Sequence, residues 1–233
     1  MFPLRDTVRS RTAPFVNYLI IAANVLVFVA GSSLGARRYD ELVTTLGMVP
    51  ARLMDGPTLG QIGTVFTSIF LHGGWFHLLS NMWALYIFGD NVEDRIGHWR
   101  YLLFYLLGGV AAAAAYLLVS GDSTVPVVGA SGAISAVMGA YLLLYPRARV
   151  LTLIPIVVIP WFIEVPAIVF IGFWFISQVF NGLFSLVGTD VGTYGGVAWW
   201  AHVGGFVFGF LMVKAFAHGR RYREFRADEY WPW

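Results

Sequence analysis

Residues 127–146, VVGASGAISAVMGAYLLLYP, decide how the rest of the chain is read. Ser131 lies between Gly129 and Gly132, and an apolar run of helical composition follows it. This puts a hydroxyl where a loop enters a membrane helix. The run from Ser131 to Tyr145 reaches only ~22 Å at ~1.5 Å per residue, against a hydrocarbon core of ~30 Å. If Arg147 and Arg149 hold its other end at the cytoplasmic surface, the serine end stops below the opposite surface. Irregular backbone at that depth is tolerated only inside protein or beside water, so Val125 to Ala130 should line a wet pocket. The first N–H groups of a helix lack partners within it, and its dipole leaves that end partly positive. The pocket therefore favours negative charge developing beside Ser131. Taken alone, the same residues also fit a plain Gly/Ser turn between two membrane helices.

Composition sets the class. A mean hydropathy of +0.70 with 12% charged residues lies outside the soluble range and indicates a polytopic membrane protein. With no cysteine, neither disulfides nor a thiolate metal site is available. The first apolar segment carries no cleavage pattern behind it and reads as a retained span.

Six spans are expected: Phe15 to about Ser32, Trp75 to Val92, Tyr101 to Val119, the short one from Ser131, Val165 to Leu186, and Trp199 to Ala217. Asn17 and Asn24 read as inter-helix hydrogen-bonders. Residues 1–14 read as a cytoplasmic N-terminal segment, 15–217 as the core and 218–233 as a basic cytoplasmic tail. The connection from Ser33 to Gly74 is too long for an ordinary loop and should carry structure, including an amphipathic stretch from Thr64 to His72. Val150 to Ile163 is apolar but broken by Pro155 and Pro160, and reads as an interfacial or re-entrant piece. Arg5, Arg9, Arg11, Arg95, Arg100, Arg147, Arg149, Lys214 and the tail arginines fall on one side of this topology, and only Arg37, Arg38 and Arg52 on the other. The positive-inside rule makes both termini cytoplasmic. The loop before Ser131 and the Gly-rich loop from Gly188 to Val197 then face the exterior.

Ionisable groups inside spans are costly and point to function. Here they reduce to His77, His202 and, at a span edge, Glu164. His77 and Asn81 share one face of span two. His202 follows the interfacial pair Trp199–Trp200 and lies ~3 to 5 Å below the surface by helix rise, close to the depth inferred for Ser131. Gly205 and Gly209 share the face of His202, while Gly132, Ser135, Ala136 and Gly139 give span four a small-residue face. Small residues let the two helices approach until the imidazole reaches the Ser131 hydroxyl, an arrangement that activates serine for attack. No aspartate is read within a span, so a Ser/His dyad is expected in place of a triad. The helix end at Ser131, with His77 and Asn81, could hold an oxyanion. His72 and His98 read as ordinary capped or interfacial groups, and Glu164 as a capping acid. Zinc held by His72, His77 and His202 finds no HExxH pattern or acidic partner in support.

Three motifs, Gly129-Ala-Ser131-Gly132, His72-Gly-Gly-Trp-Phe-His77-Leu-Leu-Ser-Asn81 and Ala201-His202-Val-Gly-Gly205 with Gly209, together resemble the rhomboid family of intramembrane serine proteases over residues 60 to 215. The resemblance implies an all-α bundle of six transmembrane helices with a short central fourth helix and a long structured exterior loop between helices 1 and 2. It implies Ser131 as nucleophile, His202 as base, an oxyanion hole of His77, Asn81 and the Ser131 N–H, and close packing at Gly132, Gly205 and Gly209. Glu93 in GDNVEDRIG resembles a structural acid. The sequence departs from the family in two places. Gly63–Thr64 stand where many members carry Trp-Arg, and Ser135 stands where many carry an aromatic ring stacked on the histidine, so another contact must orient His202.

The expected activity is cleavage of single-span membrane proteins near the exterior leaflet. The substrate would enter past span five, under the loop from Gly188 to Val197, and unwind locally, so weak helix formers at that depth should favour cleavage. No cofactor, metal or nucleic acid is expected; the bilayer is the other partner, and the expected location is a prokaryotic cell membrane. An inactive rhomboid-like binder and a small transporter are the competing readings. Retention of Ser131 and His202 argues against the first, and the lack of internal repeats against the second.

Overall fold

The computed structural model describes residues 2–156, 159–187 and 197–217. In chain order these form β1 (Phe2–Asp6), α1 (Phe15–Ser33), α2 (Ala36–Leu46), α3 (Pro50–Met54), α4 (Leu59–Thr67), a 3₁₀ turn (Ser68–Phe70), α5 (Trp75–Ile96), α6 (His98–Ser120), α7 (Ser131–Leu144), β2 (Arg149–Ile156), β3 (Ile159–Pro166), α8 (Ala167–Val187) and α9 (Trp199–Phe216). Among the described residues, α1, α6, α8 and α9 are each long and apolar enough to cross a membrane. The segment Leu59–Phe70 and α5 pass that test as a pair bent by 79°, and α7 is a shorter apolar helix.

The centre is α7. Gly132 through Tyr141 is buried without a break, as expected of a helix that is apolar all round. Its packing against α9 brings backbone to backbone: a Cβ on Gly205 would fall on the Gly132 carbonyl oxygen, one on Gly209 on that of Ala136, and one on Gly139 on that of Phe206. The third wall is α6, where Gly108 faces Ala136 and Ala115 faces Gly204. Any side chain at these glycines would push the helices apart.

The irregular stretch before α7 is laced to the long connection between α1 and α5. Met48 and Val127 exchange both backbone bonds, at 3.1 and 2.7 Å, Ala51 N–H donates to the Ser123 carbonyl at 3.0 Å, and Gly129 N–H donates to the Ser68 carbonyl at 2.9 Å. Main-chain groups at this depth must be paired, and residues 48–68 supply the partners. A capping box at Thr58 and Gln61 starts α4.

At the opposite end, the Glu93 carboxylate accepts from the Val16 and Asn17 amides, at 3.0 and 2.7 Å, in the first turn of α1, and pairs with His98 Nδ1. An anion at a helix N-terminus satisfies free amides and complements the dipole. Hydrogen bonds to a charged group are worth about 1.5–3 kcal/mol each, so this clamp is a substantial part of what joins α1 to α5. Asn17 extends it, donating to the Leu85 carbonyl and accepting from the Tyr101 hydroxyl.

The structure is mostly helical, as expected, with one small sheet beside the helices. β1, β2 and β3 form an antiparallel sheet in that order, with Phe2 opposite Leu153, Asp6 opposite Val150, and Pro155 opposite Pro160 near the β2–β3 turn. The stretch from Val150 to Ile163, expected as an interfacial or re-entrant piece, is built largely of the paired strands β2 and β3. It is rich in β-branched residues, and its prolines sit near the turn, where a missing N–H costs little. Residues of the N-terminal segment 1–14 pack against the helices. Besides β1, Ser10 O–H donates to Asp90 Oδ2 at 2.8 Å, Thr12 O–H donates to Asp94 Oδ1 at 2.6 Å, and Trp83 Nε1–H donates to the Pro3 carbonyl at 2.6 Å. The expected exterior loop at 188–197 falls, but for Val197, outside the described residues, as does the basic tail.

Two outcomes follow from this packing. Gly209→Ala should destabilise the α7–α9 seam by about 1–3 kcal/mol, read as a lower thermal unfolding midpoint in detergent micelles. Asp6 accepts from Tyr141 and Asn91, while burial, with Asp90 nearby, raises its pKa from 3.8 to about 7. The folded state therefore binds the proton more tightly than the free strand, and this contribution to β1 docking is full below the ordinary carboxyl range and lost as pH rises through about 7. Hydrogen exchange at residues 2–6, corrected for intrinsic rates, should be better protected at about pH 5 than at about pH 8, and Asp6→Asn should abolish the difference.

Candidate active site

Ser131 opens α7, and its N-cap residue, Ala130, offers no side-chain cap to the first amides of the helix. Two residues earlier the chain turns at Gly129 with φ +131°, a conformation that L side chains rarely adopt. Space requires glycine there as well, because a Cβ would lie 2.7 Å from both Cε1 and Nε2 of His77. The same point is 3.7 Å from Ser131 Oγ. Gly129 thus lets the His77 ring close on the serine loop. His77 Nδ1 faces the Gly73 N–H at 3.4 Å, which leaves Nε2 as the protonated nitrogen on the Gly129 side. One turn on, Asn81 is 6% exposed and its Nδ2 has no hydrogen-bond partner. A buried amide donor without an acceptor is costly in a resting protein and useful if an acceptor arrives.

His202 enters from the first turn of α9 with its imidazole buried. Nε2 lies 2.7 Å from Ser131 Oγ, within hydrogen-bond reach. The four expected residues thus arrive from three helices: His77 and Asn81 from α5, Ser131 from α7 and His202 from α9. The glycines expected to pack beside them, Gly132, Gly205 and Gly209, lie at the α7–α9 seam that sets this distance.

Other residues have different roles. The His72 ring is fully buried, neither of its nitrogens has a partner, and it meets His77 edge-on with centroids 5.1 Å apart. It is therefore part of the wall behind the site and not an interfacial group. His98 serves the Glu93 clamp, and Glu164 forms an exposed pair with Arg149 at 3.6 Å. An aspartate, Asp90, does lie within the bounds expected for span two, against the reading that no span holds one, but it occupies the far end of α5 and takes the Ser10 hydroxyl. Ser135 presents no ring to His202; its hydroxyl donates to the Ser131 carbonyl at 2.6 Å.

One contact to the site is absent from the sequence reading. Gln178 of α8 places Oε1 2.8 Å from His202 Nδ1, and the Trp174 and Trp199 rings lie 6.0 and 6.2 Å from the imidazole. The available signal is a side-chain amide within a mostly apolar span, the same signal that marks Asn17 and Asn24, although Asn181 of the same span carries it too.

Compared with known proteins, residues 59–218 match the rhomboid domain. This chain belongs to the rhomboid family. RHOMBOID-like protein 12, mitochondrial, of Arabidopsis thaliana is 32% identical over 130 residues, covering 49% of this chain and 37% of that protein. RHOMBOID-like protein 1 of the same plant is 30% identical over 161 residues, covering 67% and 35%. The human presenilin-associated rhomboid-like protein, mitochondrial, is 28% identical over 203 residues, covering 83% and 46%. This rhomboid chain therefore spans less than half the length of each of these relatives. The shared region holds all three motifs and every residue of the site.

Gly129→Ala would place a methyl on the His77 ring in a strained backbone. A cost of about 1–3 kcal/mol is expected, measured as a drop in the unfolding midpoint.

Proposed function

We propose that this rhomboid is an intramembrane serine endopeptidase acting on membrane-anchored proteins through Ser131 and His202. The 2.7 Å contact between Oγ and Nε2 carries this reading, because it joins a nucleophile to a base within hydrogen-bond reach. In this scheme the Ser131 proton passes to His202 Nε2 as Oγ attacks the carbonyl carbon of the substrate. The oxyanion is held by His77 Nε2–H, Asn81 Nδ2–H and the Ser131 N–H, the last at the positive end of α7. His202 then returns the proton to the leaving amine. Water attacks the Ser131 ester with His202 again as base, releasing the acid and restoring the hydroxyl.

The topology in this reading has six crossings, α1, α5, α6, α7, α8 and α9, with both termini on the cytoplasmic side. The basic residues support that orientation, and it sets the reaction near the exterior leaflet. Access past α8 is supported by its position: only 22% of its apolar window is buried, against 33% for α1, α6 and α9. A peptide bond within a substrate helix is shielded by its own hydrogen bonds, so cleavage sites lie at weak helix formers such as Gly.

The test is cleavage of a generic single-span substrate in liposomes, together with labelling by a fluorophosphonate probe. Wild type should cleave and label. Ser131→Ala should abolish labelling, and both Ser131→Ala and His202→Ala should lower kcat by at least about 10³-fold. His77→Ala or Asn81→Ala should lower kcat by about 10²–10³-fold. Wild-type protein that neither labels nor cleaves would end this reading and favour a binding role.

A further inference from the structure

The structure points to a third member of the Ser131–His202 pair, resting on the reading above. We propose that Gln178 of α8 is a positioning residue that fixes the tautomer and orientation of the His202 imidazole. The amide of Gln178 is itself directional. Its Nε2 lies 3.2 Å from the Trp174 carbonyl and 3.0 Å from Ser177 Oγ. A backbone carbonyl only accepts, so the NH₂ end must face Trp174 and the oxygen end must face the imidazole. Ser177 fits the same order, because its own proton goes to the Trp174 carbonyl at 2.6 Å and leaves its oxygen free to accept.

The consequence passes along the chain of bonds. Gln178 Oε1 can only accept, so at 2.8 Å His202 Nδ1 must carry the proton and donate it. Nε2 then presents its lone pair to Ser131, whose hydroxyl donates across 2.7 Å. This is the tautomer that a base at Nε2 requires. In the opposite tautomer Nε2 would bear a proton, and Nδ1 would face an oxygen with no hydrogen between them. Both partners are buried, Gln178 to 5% exposure and His202 to 8%, so bulk water does not compete for the contact. No ring from α7 performs this task, since Ser135 turns its hydroxyl back to the Ser131 carbonyl. The neutral amide does here what a buried carboxylate does in a triad, without placing a charge in the bilayer. Because Gln178 rides on α8, the bond also makes the imidazole geometry depend on where that helix sits.

The experiment compares full-length wild type, Gln178→Met, Gln178→Ala and Gln178→Glu in liposomes, with Met as the volume-conserving change that keeps the fold if Ala does not. Two readouts are taken: kcat and KM on a single-span substrate, and ¹⁵N NMR of labelled histidine, with the His202 signals assigned from His202→Ala. Removing the acceptor should lower kcat by about 10- to 100-fold with KM nearly unchanged, convert the His202 signals from the Nδ1–H form to a mixture, and be reversed in part by Glu, which restores an acceptor. Unchanged kcat and unchanged tautomer in Gln178→Met would overturn the proposal. So would a fall in kcat with the Nδ1–H form intact, which would mark a purely structural role. The NMR readout needs no turnover: a tautomer change in a protein whose wild type does not cleave would uphold the Gln178 assignment while removing the protease reading.

Discussion

The fold depends on two helices meeting without side chains between them. Lipid tails are as apolar as leucine, so nothing hydrophobic drives α7 against α9, and the contact must come from close packing of backbone. Gly139, Gly205 and Gly209 make that possible by exposing backbone across the seam, while Gly132 makes room for Ala112 of α6. Ser131 and His202 sit at one end of the same seam, so the distance between hydroxyl and imidazole is inherited from helix packing and not from any loop. Gly108 and Gly204 bring in α6 by the same means. The polar chemistry therefore rests on a support of small residues that carry none of it.

A second requirement is that irregular backbone at membrane depth be paired. The stretch before Ser131 meets it by borrowing partners from residues 48–68. That links two features which look unrelated in the sequence, a long connection between helices and a short apolar helix. The connection gives the serine loop the main-chain bonds that lipid cannot supply. Gly129, in a conformation most residues avoid, completes the arrangement by making room for His77.

Much of the site was legible because charged and polar side chains are rare within the spans. Ser131, His77, Asn81 and His202 stood out against apolar surroundings, and helical spacing placed Gly205 and Gly209 on the histidine face. The sheet was not legible. β1 pairs with a strand almost 150 residues away, and no local period in FPLRD announces such a partner. The prolines of the hairpin argued for a break in a helix, when they mark a turn between strands. Gln178 is hidden for a different reason: α8 carries two amides, Gln178 and Asn181, in no motif, and which of them matters emerges only when α8 is seen beside α9. Asp90 fell within a long helix, yet it serves the N-terminal segment and not the histidine.

The Glu93 clamp locks one flank of the molecule. By gripping the first turn of α1 from the end of α5, one carboxylate makes those helices a single stiff flank, reinforced by Asn17 and Tyr101. α8 is held differently: it leans chiefly on α9, where Gln178 meets His202, and leaves most of its residues outward. The helix with the least of its length covered is therefore also one that touches the imidazole, so any displacement of α8 would be felt at His202.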